Sequence, residues 1–182
     1  MSEALREHAL VTGPIELSRL NLAPIYAWQG ITEWGHLPRW LDFLPQAFGC
    51  NLAARREVFD KTGGFRDLST GQDLDFVWRA QLAGFPLSFA PDSLVHRRIP
   101  ASFLDYSRRQ FWYAKGEPLL FRNFSDDGMP RSSTLRALAK ALLVGAATPL
   151  ILHPRYRYLW ANAASTRLGR LLGSLEHRAL YL

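Results

Sequence analysis

Residues 49–98, GCNLAARREVFDKTGGFRDLSTGQDLDFVWRAQLAGFPLSFAPDSLVHRR, decide how the chain is read. The segment opens on a compact apolar stretch, Ala47 to Leu52, that reads as a buried strand. A helix over Arg55–Thr62 follows, and Gly63-Gly64 stops it. Phe65 and a polar loop lead to a second helix, from about Gly71 to Ala83, ended by Gly84. Pro86–Ala90 and Ser93–Arg97 read as two short strands turned at Pro91-Asp92. Strands and helices interleave, which favours an α/β body.

Outward from this segment, Leu10–Leu17 reads as a short β segment broken by Gly13-Pro14. Residues 22–44 are rich in aromatics and interrupted by Pro24, Gly30, Gly35 and Pro38, a pattern of irregular helix and loop. A further helix is expected over Phe103–Lys115, stopping at Gly116. The first 45 residues do not supply the several parallel strands of an α/β nucleotide-binding unit.

The chain has 182 residues, 48% hydrophobic, with 23 aromatic side chains and one cysteine. That composition excludes disorder and a disulfide scaffold, and Cys50 without a partner points to a reducing compartment. MSEALREH is charged and no apolar run follows it, so no secretory signal is read there. Residues 1–130 carry 14 Lys/Arg against 15 Asp/Glu, whereas 131–182 carry 8 against Glu176 alone. The basic character belongs to the tail and points to an anionic surface, lipid more than nucleic acid, because the body is near neutral.

In that tail, Ser132 or Ser133 can cap a helix through LRALAKALLVGAATPLIL. Its uncharged run, Ala141–Leu152, is 12 residues, short of the roughly 18–20 that span a bilayer. Beyond His153-Pro154, Arg167, Arg170, Ser174 and Arg178 share one helical arc of about 80°, and Leu168, Leu172, Leu175 and Ala179 fill another. Such a helix either lies in a membrane interface or packs its leucines on the body and leaves its arginines in water.

The order G-x-N-x-A-x-R-R at 49–56, Gly63-Gly64-Phe65, Asp73-x-Asp75-Phe76-x-Trp78-Arg79, Gly84-x-x-Leu87-x-Phe89-x-Pro91 and Val95-His96 resembles the acceptor-side half of family 2 glycosyltransferases with the GT-A fold. The likeness covers roughly residues 10–120. It implies an α/β fold: the C-terminal part of a Rossmann-like GT-A domain over 1–130, followed by a basic amphipathic helical tail over 131–182. The activity implied is inverting transfer of a sugar from a nucleotide sugar to a glycan or lipid-linked acceptor.

By that resemblance Asp73 matches the catalytic base. A sugar hydroxyl ionises far above neutral pH and needs a carboxylate in reach to take its proton. Gln72 stands where the family usually has Glu. Spacing alone gives Asp73 another role, in a capping box over Thr70–Asp73 at the helix N-terminus. Asp73-Leu74-Asp75 spells D-x-D, but residues two apart on a helix diverge by about 200°. Asp75 is better used in an i,i+4 pair with Arg79.

His96 matches a histidine that completes the metal shell in some members; otherwise it is a partly buried strand histidine. Asn51 either meets substrate through its amide or orders the strand–helix turn. Arg109, Gln110 and Trp112, in SRRQFWYAKG, are similar to the family's Q/R-x-x-R-W element beside the acceptor channel. The alternative there is an aromatic helix face in the core. Arg55 and Arg56 read as helix-surface charges.

The resemblance further implies Mn²⁺ or Mg²⁺ with the nucleotide sugar. It places the donor-binding half, with the main metal motif, before this segment of the family pattern. The expectation is therefore of a chain incomplete alone, completed by upstream sequence or by a partner chain. Its location would be cytoplasmic, peripheral on the inner face of the membrane. The alternative is a non-catalytic membrane-docking module derived from a glycosyltransferase. No P-loop, G-x-G-x-x-G, Cys/His zinc cluster or nucleophile elbow occurs.

Overall fold

A computed structural model describes residues 1–22, 36–39, 41–154 and 156–182. The irregular segment read at 22–44 lies mostly outside the described residues. The chain divides into two compact units, Met1–Leu20 with Ile31–Arg98, and Asn21–Gly30 with Ile99–Leu182. The boundary drawn from sequence at residue 130 falls inside the second.

The first unit begins with a short helix, α1 (Ala4–Glu7), then β1 (Leu10–Thr12) and β2 (Ile15–Glu16). A 3-10 turn at Gly49–Asn51 leads into β3 (Leu52–Ala54), α2 (Arg56–Thr62), α3 (Gln72–Leu82), β4 (Leu87–Phe89) and β5 (Val95–His96). β1 is the middle strand. It pairs antiparallel with β3, Leu10 opposite Ala54, and parallel with β4, Leu10 opposite Leu87. β2 pairs parallel with β5, Glu16 opposite His96.

Two sequence expectations change here. Residues 49–51 form a 3-10 turn in place of a continuous strand from Ala47, and the strand proper is Leu52–Ala54. Pro91-Asp92 does not fold β4 back on β5. Both strands run beside β1 and β2 in the same direction, the Ala90 N–H donating to Thr12 O and the Val95 N–H to Pro14 O. The break at Gly13-Pro14 faces this second break directly. A Cβ on Gly13 would stand 2.5 Å from Ser93 O, so only glycine admits the approach.

Leu10, Ala47, Val58, Phe76, Val77 and Leu87 form the core beneath this sheet. α2 ends as read: Gly63 takes φ 75°, and its N–H caps Phe59 O. Arg55 is not a mere surface charge. Its guanidinium donates to Leu5 O and Arg6 O at 2.6 Å, closing the exposed carbonyl end of α1.

The second unit is helical: α4 (Phe103–Phe124), α5 (Thr134–Ala146), a 3-10 turn at Thr148–Leu152 and α6 (Arg157–His177). Ser133 caps α5 by accepting the Arg136 N–H at 3.4 Å. α4 was expected to stop at Gly116, yet it continues through Gly116 and Pro118. Glycine and proline there cost about 1 and 3 kcal/mol of helix propensity. Burial of Leu120, Phe121 and Phe124 beyond them stabilises by about 1.5–3 kcal/mol per side chain and wins.

Against α4 lies α6, seated by Gly169 and Gly173. A Cβ at Gly169 would meet Phe111 O at 2.4 Å, and one at Gly173 would meet Lys115 O at 2.2 Å. Within the arginine arc of α6, Arg170 and Ser174 turn toward this seam, whereas Arg178, just past the helix, is exposed. Arg170 donates to the buried Glu117 at 2.5 Å, and Ser174 exchanges hydrogen bonds with Tyr181. Burial lowers the pKa of Arg167. Its leucines point the other way. Leu168, Leu171, Leu172 and Leu175 are exposed, Ala179 of the same arc is buried, and Arg178 is exposed while Arg170 is largely buried against Glu117, so the two arcs do not divide into one inward and one outward face.

Candidate active site around Asp73

Asp73 stands in the first turn of α3, half-buried. Its Oδ2 accepts the Gly49 N–H at 2.9 Å, and its Oδ1 accepts the Leu74 N–H at 2.9 Å. The capping box over Thr70–Asp73 does not form, because Gly71 is the N-cap and no side chain caps the helix. The carboxylate instead ties α3 to the 3-10 turn that precedes β3. An ionised carboxylate has about four acceptor positions, so two N–H groups orient it and leave it able to take a proton.

Cys50 is exposed in that 3-10 turn. Desolvation pushes its thiol above the usual range, the Arg97 charge opposes this, and the Asp73 carboxylate adds to the rise. The Arg97 guanidinium also lies over the Phe48 ring, 5.7 Å from its centroid. Sequence reading did not single out Arg97; its place directly after the strand histidine was the available signal.

Asp75 is fully buried and does not share a site with Asp73. It pairs with Arg79 at 2.7 Å and with Arg66 at 3.2 Å. Arg79 in turn donates to Thr62 O and Gly64 O at 2.6 and 2.7 Å. The i,i+4 reading of this pair is what the fold contains, and it fixes the loop before α3.

Asn51, also buried, uses its amide inside the fold. Nδ2 donates to Pro14 O at 2.9 Å and to Ser93 O at 2.8 Å, clamping the paired breaks in the β1–β2 and β4–β5 strands. Both amide N–H groups are thereby engaged with backbone, so the turn-ordering role is the one the geometry contains. Thr12 Oγ1 adds a 2.7 Å bond to Asn51 O.

His96 Nδ1 stands 2.8 Å from Glu16 Oε2, and its Nε2 stands 3.2 Å from an Arg19 guanidinium nitrogen. Arginine only donates, so Nε2 accepts and Nδ1 carries the proton given to Glu16. Glu16 also accepts from the Ser18 hydroxyl and from the Ser18 and Arg19 backbone N–H groups. The Ser18 hydroxyl above all, opposed by desolvation and helped by His96, lowers Glu16 to about 2. A metal ion does not fit this arrangement, since it would have to displace a guanidinium from Nε2. Among the described residues no group of three or more His, Cys, Asp or Glu stands together to hold a metal.

Asp73, Asn51 and His96 belong to the first unit, whereas Arg109, Gln110 and Trp112 belong to the second. The Arg109 guanidinium is 5.8 Å from the Tyr106 ring centroid and 5.9 Å from that of Tyr113. Gln110 Nε2 donates to Asn162 Oδ1 on α6. Trp112 and Tyr113 are exposed rather than core, and Lys115 Nζ sits 4.8 Å from the Trp112 ring centroid. Exposed indole and phenol faces are suited to stacking on sugar C–H surfaces.

A family model described as glycosyl transferase family group 2 matches residues 42–172. A probable glucomannan 4-beta-mannosyltransferase 6 of Oryza sativa subsp. japonica is 33% identical over 78 residues, 41% of this chain and 14% of that protein. Glucomannan 4-beta-mannosyltransferase 1 of Cyamopsis tetragonoloba is 30% identical over 83 residues, 44% of this chain and 16% of that protein. The chain therefore matches only a small part of the length of these curated relatives. No solved structure matches.

Proposed function

The chain belongs to glycosyl transferase family group 2, and on that premise we propose that it provides the acceptor side of an inverting sugar transfer. In this reading Asp73 takes the proton of an acceptor hydroxyl. The hydroxyl oxygen forms a bond to the anomeric carbon from one face. The bond from that carbon to the nucleoside diphosphate breaks on the other, and the leaving group departs with the electron pair. One displacement without a covalent enzyme intermediate inverts the anomeric centre.

The observation that carries the reading is the setting of Asp73. A half-buried carboxylate is fixed by the Gly49 and Leu74 N–H groups at a rigid helix start. Such fixing is what proximity catalysis asks of a base. Trp112 and Tyr113 are the acceptor contacts in this proposal, and Arg109 contributes through its place between Tyr106 and Tyr113. The relatives are named as glucomannan 4-beta-mannosyltransferases, so a nucleotide-linked mannose and a glycan acceptor are the first pair to try; a lipid-linked acceptor is the next.

The nucleotide, its sugar and any Mn²⁺ or Mg²⁺ are assigned by this proposal to residues outside these 182, in a longer polypeptide or a partner chain. Cys50 as a single cysteine suits a cytoplasmic setting. Gln72 beside Asp73, where the family usually has Glu, favours a second reading: a non-catalytic module derived from a transferase.

Two measurements test the proposal. Titration of the chain with UDP and GDP in Mn²⁺ is expected to show no saturable binding, and a saturable donor site would overturn the assignment of the donor half elsewhere. In the complete enzyme, NMR of the first-formed product is expected to show inverted anomeric configuration; retention would overturn the single-displacement chemistry.

A further inference from the structure

We propose that Asn51 is a positioning residue for the reaction: from inside the fold it holds the Gly49 N–H on the Asp73 carboxylate. The proposal rests on the reading of Asp73 as the base, and its first test is independent of turnover.

Asn51 is 3% exposed, and its side-chain NH₂ and both its backbone groups are engaged. Nδ2 gives one hydrogen to Pro14 O at 2.9 Å and the other to Ser93 O at 2.8 Å. The backbone N–H closes the 3-10 turn on Phe48 O at 2.9 Å, and the backbone oxygen accepts the Thr12 hydroxyl at 2.7 Å. The last residue of the turn is thereby pinned to the two strand breaks. Its first residue, Gly49, presents its N–H to Asp73 Oδ2 at 2.9 Å. Only Cys50 lies between them, and a closed 3-10 turn has little slack, so a shift of Asn51 is passed on to that N–H.

The residue type follows from the task. Bridging two carbonyls from one side chain needs two N–H groups on a short stem. Aspartate offers none, serine or threonine one, and glutamine the same group a methylene further out. Among short side chains asparagine alone supplies both.

The two bonds to Asp73 differ in origin. The Leu74 N–H is its own neighbour on α3 and fixes the carboxylate only to that helix. The Gly49 N–H comes from a separate segment, 24 residues away, and sets the carboxylate relative to the sheet. Misplacing a reacting group by about 1 Å can cost about 100-fold in rate.

The test is NMR of the ¹⁵N-labelled whole chain, following the Gly49 and Leu74 amides through the acid range in which carboxylates titrate. An amide that donates to a carboxylate shifts when the carboxylate takes up a proton. In wild type both amides are expected to move with one midpoint, and Asp73→Asn should abolish both movements. Asn51→Ala should remove most of the Gly49 movement and leave that of Leu74, a selective loss that general destabilisation does not produce. If Asn51→Ala fails to fold, Thr12→Val, which deletes only the 2.7 Å bond to Asn51 O, gives the same readout in weaker form. With the donor half supplied, Asn51→Ala should lower kcat by about 10–100-fold and leave the acceptor KM little changed. A folded Asn51→Ala chain whose Gly49 amide titrates as wild type would overturn the proposal. So would unchanged turnover once that response is lost. Full turnover in Asp73→Asn is a separate failure, of the base reading, because the amide responses are read without substrate.

Discussion

Replacing Gly173 with alanine opposes two effects whose sizes the structure fixes. Alanine in place of a helical glycine gains about 1 kcal/mol of propensity. The new Cβ, however, would stand 2.2 Å from Lys115 O and 3.1 Å from Pro118 Cγ, where ordinary contact begins at 3.4 Å. The nearest obstacle is a backbone carbonyl of α4, so the two helices must separate by about 1 Å. A gap of that size forfeits a quarter to a half of each dispersion contact along the seam. Overpacking of this kind typically costs about 1–3 kcal/mol, and the lengthened Arg170–Glu117 bond adds to it. The net expectation for Gly173→Ala is destabilisation by about 2 kcal/mol. Gly145→Ala is the control. Nothing lies within 4 Å of its new Cβ, so the propensity gain of about 0.5–1 kcal/mol should appear as stabilisation. Urea unfolding followed by circular dichroism reads both. A Gly173→Ala midpoint at or above wild type would refute the close packing of α4 on α6.

Asp75→Ala should be severe, because it strands the largely buried Arg79 guanidinium; a loss of about 3–5 kcal/mol, or failure to fold, is expected in the same assay. Glu16 gives a pH signature. Its folded value is lowered to about 2, so its contribution is complete above its unfolded value and is lost as pH falls toward 2. Glu16→Gln should therefore flatten the stability profile between about pH 5 and 2, and an unchanged slope would remove Glu16 from the account.

Much of the first unit was legible because its signals are local. Gly63-Gly64 marks the end of α2, Gly84 the end of α3, and the four-residue spacing of Asp75 and Arg79 their ion pair. Strand pairing was not legible. Pro91-Asp92 has the composition of a turn, but whether β4 folds back or runs on beside β1 is decided by Asn51, whose amide clasps Pro14 O and Ser93 O from a distant segment. α4 was cut short for a related reason, since propensity at Gly116 and Pro118 is local and the burial that overrides it is not. On α6 the periodicity separates leucine from arginine without saying which residues of each arc face inward. The signal was present in Gly169 and Gly173, whose four-residue spacing lets a helix be approached closely. Of the candidate residues, Asp73 alone emerges with a carboxylate oriented from two sides; Asn51 and His96 are bound into the fold.

The most direct test of the central claim is the initial rate of nucleoside diphosphate release by the chain supplied with the donor half that the proposal assigns elsewhere, compared with its Asp73→Asn variant, at saturating donor and glycan acceptor. Asparagine can still accept the Gly49 N–H, so unfolding should shift little. The account expects a loss in turnover of about 10²–10⁴-fold with that stability retained. A folded Asp73→Asn enzyme within about threefold of the wild-type rate, far inside what general-base removal costs, would contradict it.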